Sequence, residues 1–149
     1  MTIGTILQAL EQWAPPCLQE EYDNAGLITG NPTWHCSGIL VSLDATEAVI
    51  QEAIDLGCNL VVSHHPIVFR GLKKINGKNY VERALIKAIK HDIALFAIHT
   101  NLDNVLHGVN SRMADRLNLV NRQILQPKKG LLEKMVVFVP ESHKEPVQN

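Results

Sequence analysis

Two adjacent histidines, His64 and His65, follow a short apolar run at residues 60–62 and are themselves followed by Pro66. Such a run is typical of a buried strand. Imidazole is a common ligand of divalent metals, and ligands bind outside the carboxyl ends of strands in α/β sheets. The alternative is a pair of surface loop histidines. The buried-strand context favours a metal site.

A second apolar run, residues 93–98, ends in the same way with His99 and, four residues later, Asp103. A carboxylate can bridge two metal ions about 3.5–4 Å apart, and each adjacent histidine can then serve a different ion. The predicted metal ligands are therefore His64, His65 and Asp103. His99 has three open roles: ligand, base, or donor to a carbonyl. We favour a supporting role in which it orients a ligand.

Four other polar features each have an ordinary structural explanation as well. Asn101 could orient Asp103 or stabilise a turn. Asp44 ends another predicted strand and could reach the same cavity or cap the next helix. Residues 23–26 read Asp-Asn-Ala-Gly, a favourable turn sequence. The basic loop at residues 69–79 could attract a phosphate-bearing substrate, although a solvated loop is the commoner explanation.

The elements that must position these residues alternate along the chain. Periodic apolar residues predict helices over residues 3–13, 46–57, 80–90 and 109–117, and apolar runs predict strands over residues 38–43, 60–63, 93–98 and 135–139. Residues 20–32 are predicted to be turn-rich. Alternating strands and helices predict an α/β fold with a substantially parallel sheet covered on both faces.

The composition is that of a packed, near-neutral domain. The chain has 149 residues, of which 46% are hydrophobic and 19% charged, and its formal net charge is −1. These values favour a single domain, or part of a larger one, and give no global attraction to nucleic acid. Three widely spaced cysteines predict a reducing, cytoplasmic environment. No apolar run is long enough to span a membrane.

Four ordered motifs together resemble the Nif-three-like family, also called GTP cyclohydrolase type-two homologues. They read YDNAGL, VSLDAT, SHHP and HTNLD, at residues 22–27, 41–46, 63–66 and 99–103. The resemblance covers nearly the whole chain. It implies a layered α/β/α fold with a mixed, largely parallel sheet, a ring-shaped homohexamer, and two divalent metal ions that face a central cavity.

The resemblance also implies which residues bind these ions. The family's double histidine falls on His64 and His65, and its first aspartate ligand falls on Asp103. Two further family ligands, a histidine and a glutamate, lie near the carboxyl end of full-length members, beyond this sequence. We therefore expect an amino-terminal half in which residues 1–133 belong to the main α/β domain and residues 134–149 begin an incomplete insert.

The function implied by the resemblance is metal-dependent hydrolysis of a nucleotide-like or other small substrate. Zinc, manganese, iron and magnesium all remain open as the ion. A metal-binding scaffold or regulatory partner without turnover is the alternative, because a hydrolase needs a closed set of ligands. The expected partners are other copies of the chain and a small molecule. Neither a membrane nor nucleic acid is expected.

Overall fold

The computed structural model describes residues 1–130, 134–143 and 145. Its centre is a four-stranded sheet in the order β1-β4-β3-β2. The strands are β1 (Gly26–Thr29), β2 (Ile39–Ser42), β3 (Leu60–Ser63) and β4 (Ala94–Ala97). β2, β3 and β4 are parallel, whereas β1 runs antiparallel to β4. The predicted mixed, largely parallel sheet is confirmed.

Five helices accompany the sheet in the described part of the chain. They are α1 (Ile3–Trp13), α2 (Glu47–Asp55), α3 (Tyr80–Lys90), α4 (Thr100–Asp103) and α5 (Val109–Arg116). Short 3-10 turns lie at Pro16–Leu18 and Glu141–His143. No helix of the described residues is both long and apolar enough to cross a membrane.

Side-chain caps fix where the three longer helices begin. Thr2, Thr46 and Asn79 each accept a hydrogen bond from a backbone N–H three residues further on. These bonds satisfy amide groups that have no partner inside the helix. Thr46 therefore caps α2, and Asp44 is available for another role.

The core has two halves, one on each face of the sheet. Successive side chains of a strand point to opposite faces. Phe96 accordingly packs with α1, whereas Leu95 packs with α2 and α3. Both strand residues are 1% exposed. Helices thus cover both faces, and the predicted layered α/β/α arrangement is confirmed.

Residues 20–32, predicted to be turn-rich, also contain β1, a strand that the sequence analysis does not predict. This strand has four residues, begins at Gly26 and is followed by Gly30; the two glycines have φ angles of 111° and 107°. Glycines with positive φ are typical of turns, so the sequence of this segment indicates a turn and not a strand. Gly30 is also needed for close packing: a Cβ atom there would lie 2.5 Å from the Cβ of Ala94.

The strand predicted at residues 135–139 is also wrong. These residues lack regular structure, and the side chain of Phe138 is 95% exposed. A strand requires a hydrogen-bonded neighbour, and none of the described residues pairs with this segment. The expected domain boundary after residue 133 falls at residues 131–133, outside the described residues, and it stays a prediction. The predicted last helix is confirmed as α5, although Met113 on it is 52% exposed.

Candidate metal centre

The carboxyl ends of the three parallel strands meet at one edge of the sheet. Pairing between β2 and β3 continues past both strands, because His64 N donates to Ser42 O at 3.2 Å and His65 N donates to Leu43 O at 2.9 Å. Ile98 N similarly donates to the carbonyl oxygen of the last residue of β3 at 2.9 Å. The backbone that carries the histidines is therefore held by sheet hydrogen bonds.

Three histidines converge at this edge: His64, His65 and His99. One ligand atom from each lies within 4.8 Å of those from the other two. Their ring centroids are 5.0, 5.1 and 5.5 Å apart. The cluster could hold a metal ion. It places His99 among the candidate ligands, whereas the sequence favours a supporting role for this residue.

Each ring of the cluster has its Nδ1 in a hydrogen bond. The acceptors are Ile98 O for His64 at 2.9 Å, Asp44 Oδ1 for His65 at 2.8 Å, and Asp23 Oδ1 for His99 at 2.8 Å. Carbonyl and carboxylate oxygens only accept, so Nδ1 is the protonated nitrogen in each ring. In a neutral ring, Nε2 then carries a free lone pair. Metal-binding histidines commonly have this arrangement.

Asp103, the last residue of α4, lies beside His64 but is not one of the three residues whose ligand atoms converge within 4.8 Å. Its Oδ1 lies 3.9 Å from Nε2 of His64, and its side chain is 39% exposed. This distance is too long for a hydrogen bond. Two ligand atoms of a tetrahedral ion, with bonds of about 2.0–2.2 Å, would lie roughly 3.3–3.6 Å apart. The separation from His64 is therefore close to that of two ligands sharing an ion.

Asp23 supports the cluster from the turn before β1. Its side chain is buried, and its Oδ2 accepts hydrogen bonds from both the backbone N–H and the hydroxyl of Thr100. Burial acts to raise the pKa of Asp23, but the hydrogen bonds from His99, Thr100 and the N–H of Asn24 outweigh it and lower the pKa. Asp23 is therefore a carboxylate near neutral pH, suited to accept the Nδ1 proton of His99.

Two carboxylates of the centre were left undecided or missed by sequence reasoning. The sequence leaves Asp44 either in the cavity or as the cap of the next helix, and the structure shows that its Oδ1 contacts His65. Asp23 was interpreted only as part of a turn. Its presence in the motif at residues 22–27 is the one sequence signal that could have indicated a role at the site. Its position could not be predicted without knowing that β1 is antiparallel. Asn101, by contrast, fits the turn interpretation: its Oδ1 accepts from His99 N at 2.9 Å.

The fold and these contacts define an α/β protein with a histidine cluster that could hold a metal ion at the carboxyl edge of its parallel strands. The chain belongs to the DUF34/NIF3 (NGG1p interacting factor 3) family, whose sequence profile matches residues 1–148. The family resemblance drawn from the motifs is thereby confirmed.

Curated relatives extend well beyond this chain. It is 43% identical over 145 residues to the GTP cyclohydrolase 1 type 2 homolog of Halalkalibacterium halodurans, and 39% identical over 144 residues to the protein of the same name from Bacillus subtilis. These matches cover 97% and 96% of the chain but 39% of each relative. The expected partial match to longer family members is thus observed.

Solved structures share the fold. A Bacillus cereus protein related to NIF3 superposes with a TM-score of 0.81 at 38% identity, over 86% of this chain and 35% of that one. Reduced HcgD from Methanocaldococcus jannaschii gives a TM-score of 0.76 at 31% identity, over 81% and 48% of the two chains. The α/β architecture is therefore that of the family.

Proposed function

We propose that this chain forms a divalent-metal centre of a hydrolase that acts on a nucleotide-like or other small substrate. His64, His65 and Asp103 are the proposed ligands. The observation that carries this proposal is the convergence of three imidazoles, whose ligand atoms lie within 4.8 Å of one another and whose Nδ1 atoms are each hydrogen-bonded to a backbone or carboxylate oxygen. In a neutral ring this hydrogen bond leaves Nε2 as the nitrogen that can bind a metal ion.

The donor set favours particular ions. Imidazole nitrogens suit zinc and iron, whereas magnesium prefers oxygen ligands throughout. Manganese accepts a mixture of carboxylate and imidazole groups. The cluster offers three imidazoles and the carboxylate of Asp103. We therefore propose zinc, iron or manganese ahead of magnesium.

Two ions need more ligands than these four side chains provide. Zinc alone takes four ligands at each ion, and a bridging Asp103 can serve both. The other positions would be filled by water, by a neighbouring copy, or by the part of the relatives that this chain does not match. A ring of six copies remains our proposal for the assembly, and two ions per chain remain our proposal for the complete centre.

The protein's own groups would prepare the reaction. When bound, the metal supplies Lewis-acid activation of water and of a substrate oxygen. Asp103 would fix the position of the ions. His99, held by Asp23, would serve either as a further ligand or as a base that removes a proton from the attacking water. The cyclohydrolase name of the curated relatives supports a nucleotide-like substrate.

A scaffold or regulatory role without turnover is the second candidate. It is favoured because, among the described residues, Asp103 is the one carboxylate that approaches an Nε2 of the cluster, whereas Asp23 and Asp44 bind Nδ1 atoms. An open ligand set holds its ions loosely and weakens the geometry on which rate depends. Metal binding is common to both candidates, and only turnover separates them.

The test combines metal content with turnover. The purified chain is loaded with zinc, manganese, iron or magnesium in turn and assayed against a panel of nucleotides. We expect bound metal and metal-dependent product formation, both reduced by His64→Ala and by Asp103→Asn. The matched control is His107→Ala, an exposed histidine outside the cluster. Metal binding without turnover would favour the scaffold, and absence of bound metal would reject both candidates.

A further inference from the structure

Two exposed aromatic side chains, Tyr22 and Phe69, extend the row of rings at the candidate metal centre. The ring centroid of Phe69 lies 6.4 Å from that of His99, with the rings at 80°. Tyr22 lies 6.2 Å beyond Phe69, at 47°. Tyr22 is 66% exposed and Phe69 is 45% exposed. Their rings contact one another and still offer uncovered aromatic surface beside the histidines.

The backbone that carries both rings is tied to the centre. Tyr22 directly precedes Asp23, the residue that holds His99. Phe69 directly follows Val68, whose carbonyl oxygen accepts a hydrogen bond from Asn24 Nδ2 at 2.7 Å. The two loops are thereby joined to each other and to the cluster. A ligand that stacks on these rings meets a surface whose backbone is already in place, which lowers the entropic cost of binding.

The loop that carries Phe69 also carries a run of basic side chains. Residues 66–79 contain four basic side chains and no acidic residue. The basic residues are all exposed: Arg70, Lys73, Lys74 and Lys78. The net charge of the whole chain is only −1, so this run is a local concentration of cations rather than a general property. Such a run attracts phosphate groups.

We propose that Tyr22 and Phe69 form a stacking wall that selects substrates with a planar heteroaromatic ring, and that the basic run of residues 70–78 selects a phosphate on the same molecule. This inference rests on the proposed function, because it names the substrate class of that site. A phosphorylated heterocycle of the nucleotide class satisfies both features. The ring would lie against the wall, with its reacting atoms toward the histidines.

The test is ligand binding to the full chain, measured by calorimetry with and without zinc. Three probes separate the contributions: guanosine monophosphate has ring and phosphate, guanosine has the ring, and ribose 5-phosphate has the phosphate. Stacking of a base on an aromatic side chain corresponds to roughly a 5- to 150-fold change in Kd on alanine substitution. We expect Phe69→Ala and Tyr22→Ala to weaken the binding of guanosine monophosphate by that factor and to leave the affinity for ribose 5-phosphate unchanged.

Further variants keep the result interpretable. Phe69→Trp retains a stacking surface and is expected to retain affinity. Tyr80→Ala removes an exposed tyrosine outside the row of rings and serves as the matched control. Replacing Lys73 and Lys74 together by Gln is expected to weaken the binding of guanosine monophosphate and ribose 5-phosphate and to leave the affinity for guanosine unchanged.

The outcomes distinguish this inference from the proposed function. Zinc content of each variant is measured alongside binding. Wild-type chain that holds none of zinc, iron and manganese but binds guanosine monophosphate through the two rings would reject the metal function and uphold the wall. The wall is overturned if the wild type fails to bind guanosine monophosphate, if it binds ribose 5-phosphate equally tightly, or if Phe69→Ala and Tyr22→Ala leave the affinity unchanged.

Discussion

Asp23 holds His99 in place through a hydrogen bond of 2.8 Å between its Oδ1 and the Nδ1 of the imidazole. The two residues are far apart in sequence but lie at the same edge of the sheet. β1 runs antiparallel to β4, so the turn before β1 meets the end of β4, and Gly26 pairs with Ala97. Asp23 thus fixes the third imidazole of the cluster from the segment that leads into β1, the antiparallel strand.

Asp23→Asn is expected to weaken metal binding without removing a proposed ligand. The amide keeps the size of the carboxylate but loses its charge, and its single oxygen can accept from His99 Nδ1 or from Thr100 but not from both. Loss of such a supporting partner typically costs 10–100-fold in metal affinity. Zinc affinity, measured by competition with a chromophoric chelator, tests this. Asp55→Asn changes an exposed aspartate and should have wild-type affinity.

The same substitution should alter the pH dependence of stability. The folded-state pKa of Asp23 is lowered relative to the unfolded chain. Its contribution to the free energy of unfolding is therefore present above the unfolded pKa, about 3.9, and is lost as pH falls through the lower folded pKa. Hydrogen bonds to charged groups contribute about 1.5–3 kcal/mol. We expect Asp23→Asn to be destabilised by about that amount at pH 7.

Urea denaturation of wild type and Asp23→Asn at a series of pH values measures this effect. The difference between the two proteins should be constant near neutrality and shrink below about pH 4, since the variant has no carboxylate at this position to protonate. A difference that stays constant down to pH 2 would show that charge on Asp23 is not what stabilises the turn.

Gly30→Ala is expected to disrupt the edge of the sheet formed by β1. The added methyl would meet the Cβ of Ala94 at 2.5 Å and its Cα at 2.6 Å, and the φ of 107° already disfavours an L side chain. Overpacking and backbone strain each cost about 1–3 kcal/mol. Gly71→Ala is the control, because nothing lies within 4 Å of its Cβ position and its φ carries no such strain. Similar denaturation midpoints for the two variants would reject this account.

Much of the site could be predicted because parallel strands impose a simple rule. Strands β3 and β4 are short apolar runs that are fully buried, and polar residues directly after them must lie at a common edge. His64, His65, His99 and Asp103 all follow such runs. Their proximity therefore required only the strand positions and their parallel direction, both of which the apolar pattern indicates.

The remaining features depended on tertiary contacts that leave a weak local signal. β1 is a strand because it pairs with β4 and because Gly30 fits against Ala94; in isolation its glycines indicate a turn. Asp23 depends on that same pairing. The segment 135–139 shows the opposite case, since it has the composition of a strand and lacks a partner among the described residues. The strand propensity of the residues therefore did not determine whether either segment forms a strand.

The most direct test of the metal centre is calorimetric titration of the metal-free chain with zinc at neutral pH. We predict at least one zinc per wild-type chain, and at least about a tenfold loss of affinity in both His64→Ala and His65→Ala, because each removes a free Nε2 from the cluster. The fold should persist, since both side chains lie at a strand end outside the two core clusters. His107→Ala should bind as the wild type does. Wild-type stoichiometry and affinity in both cluster variants would contradict the assignment of these histidines as ligands.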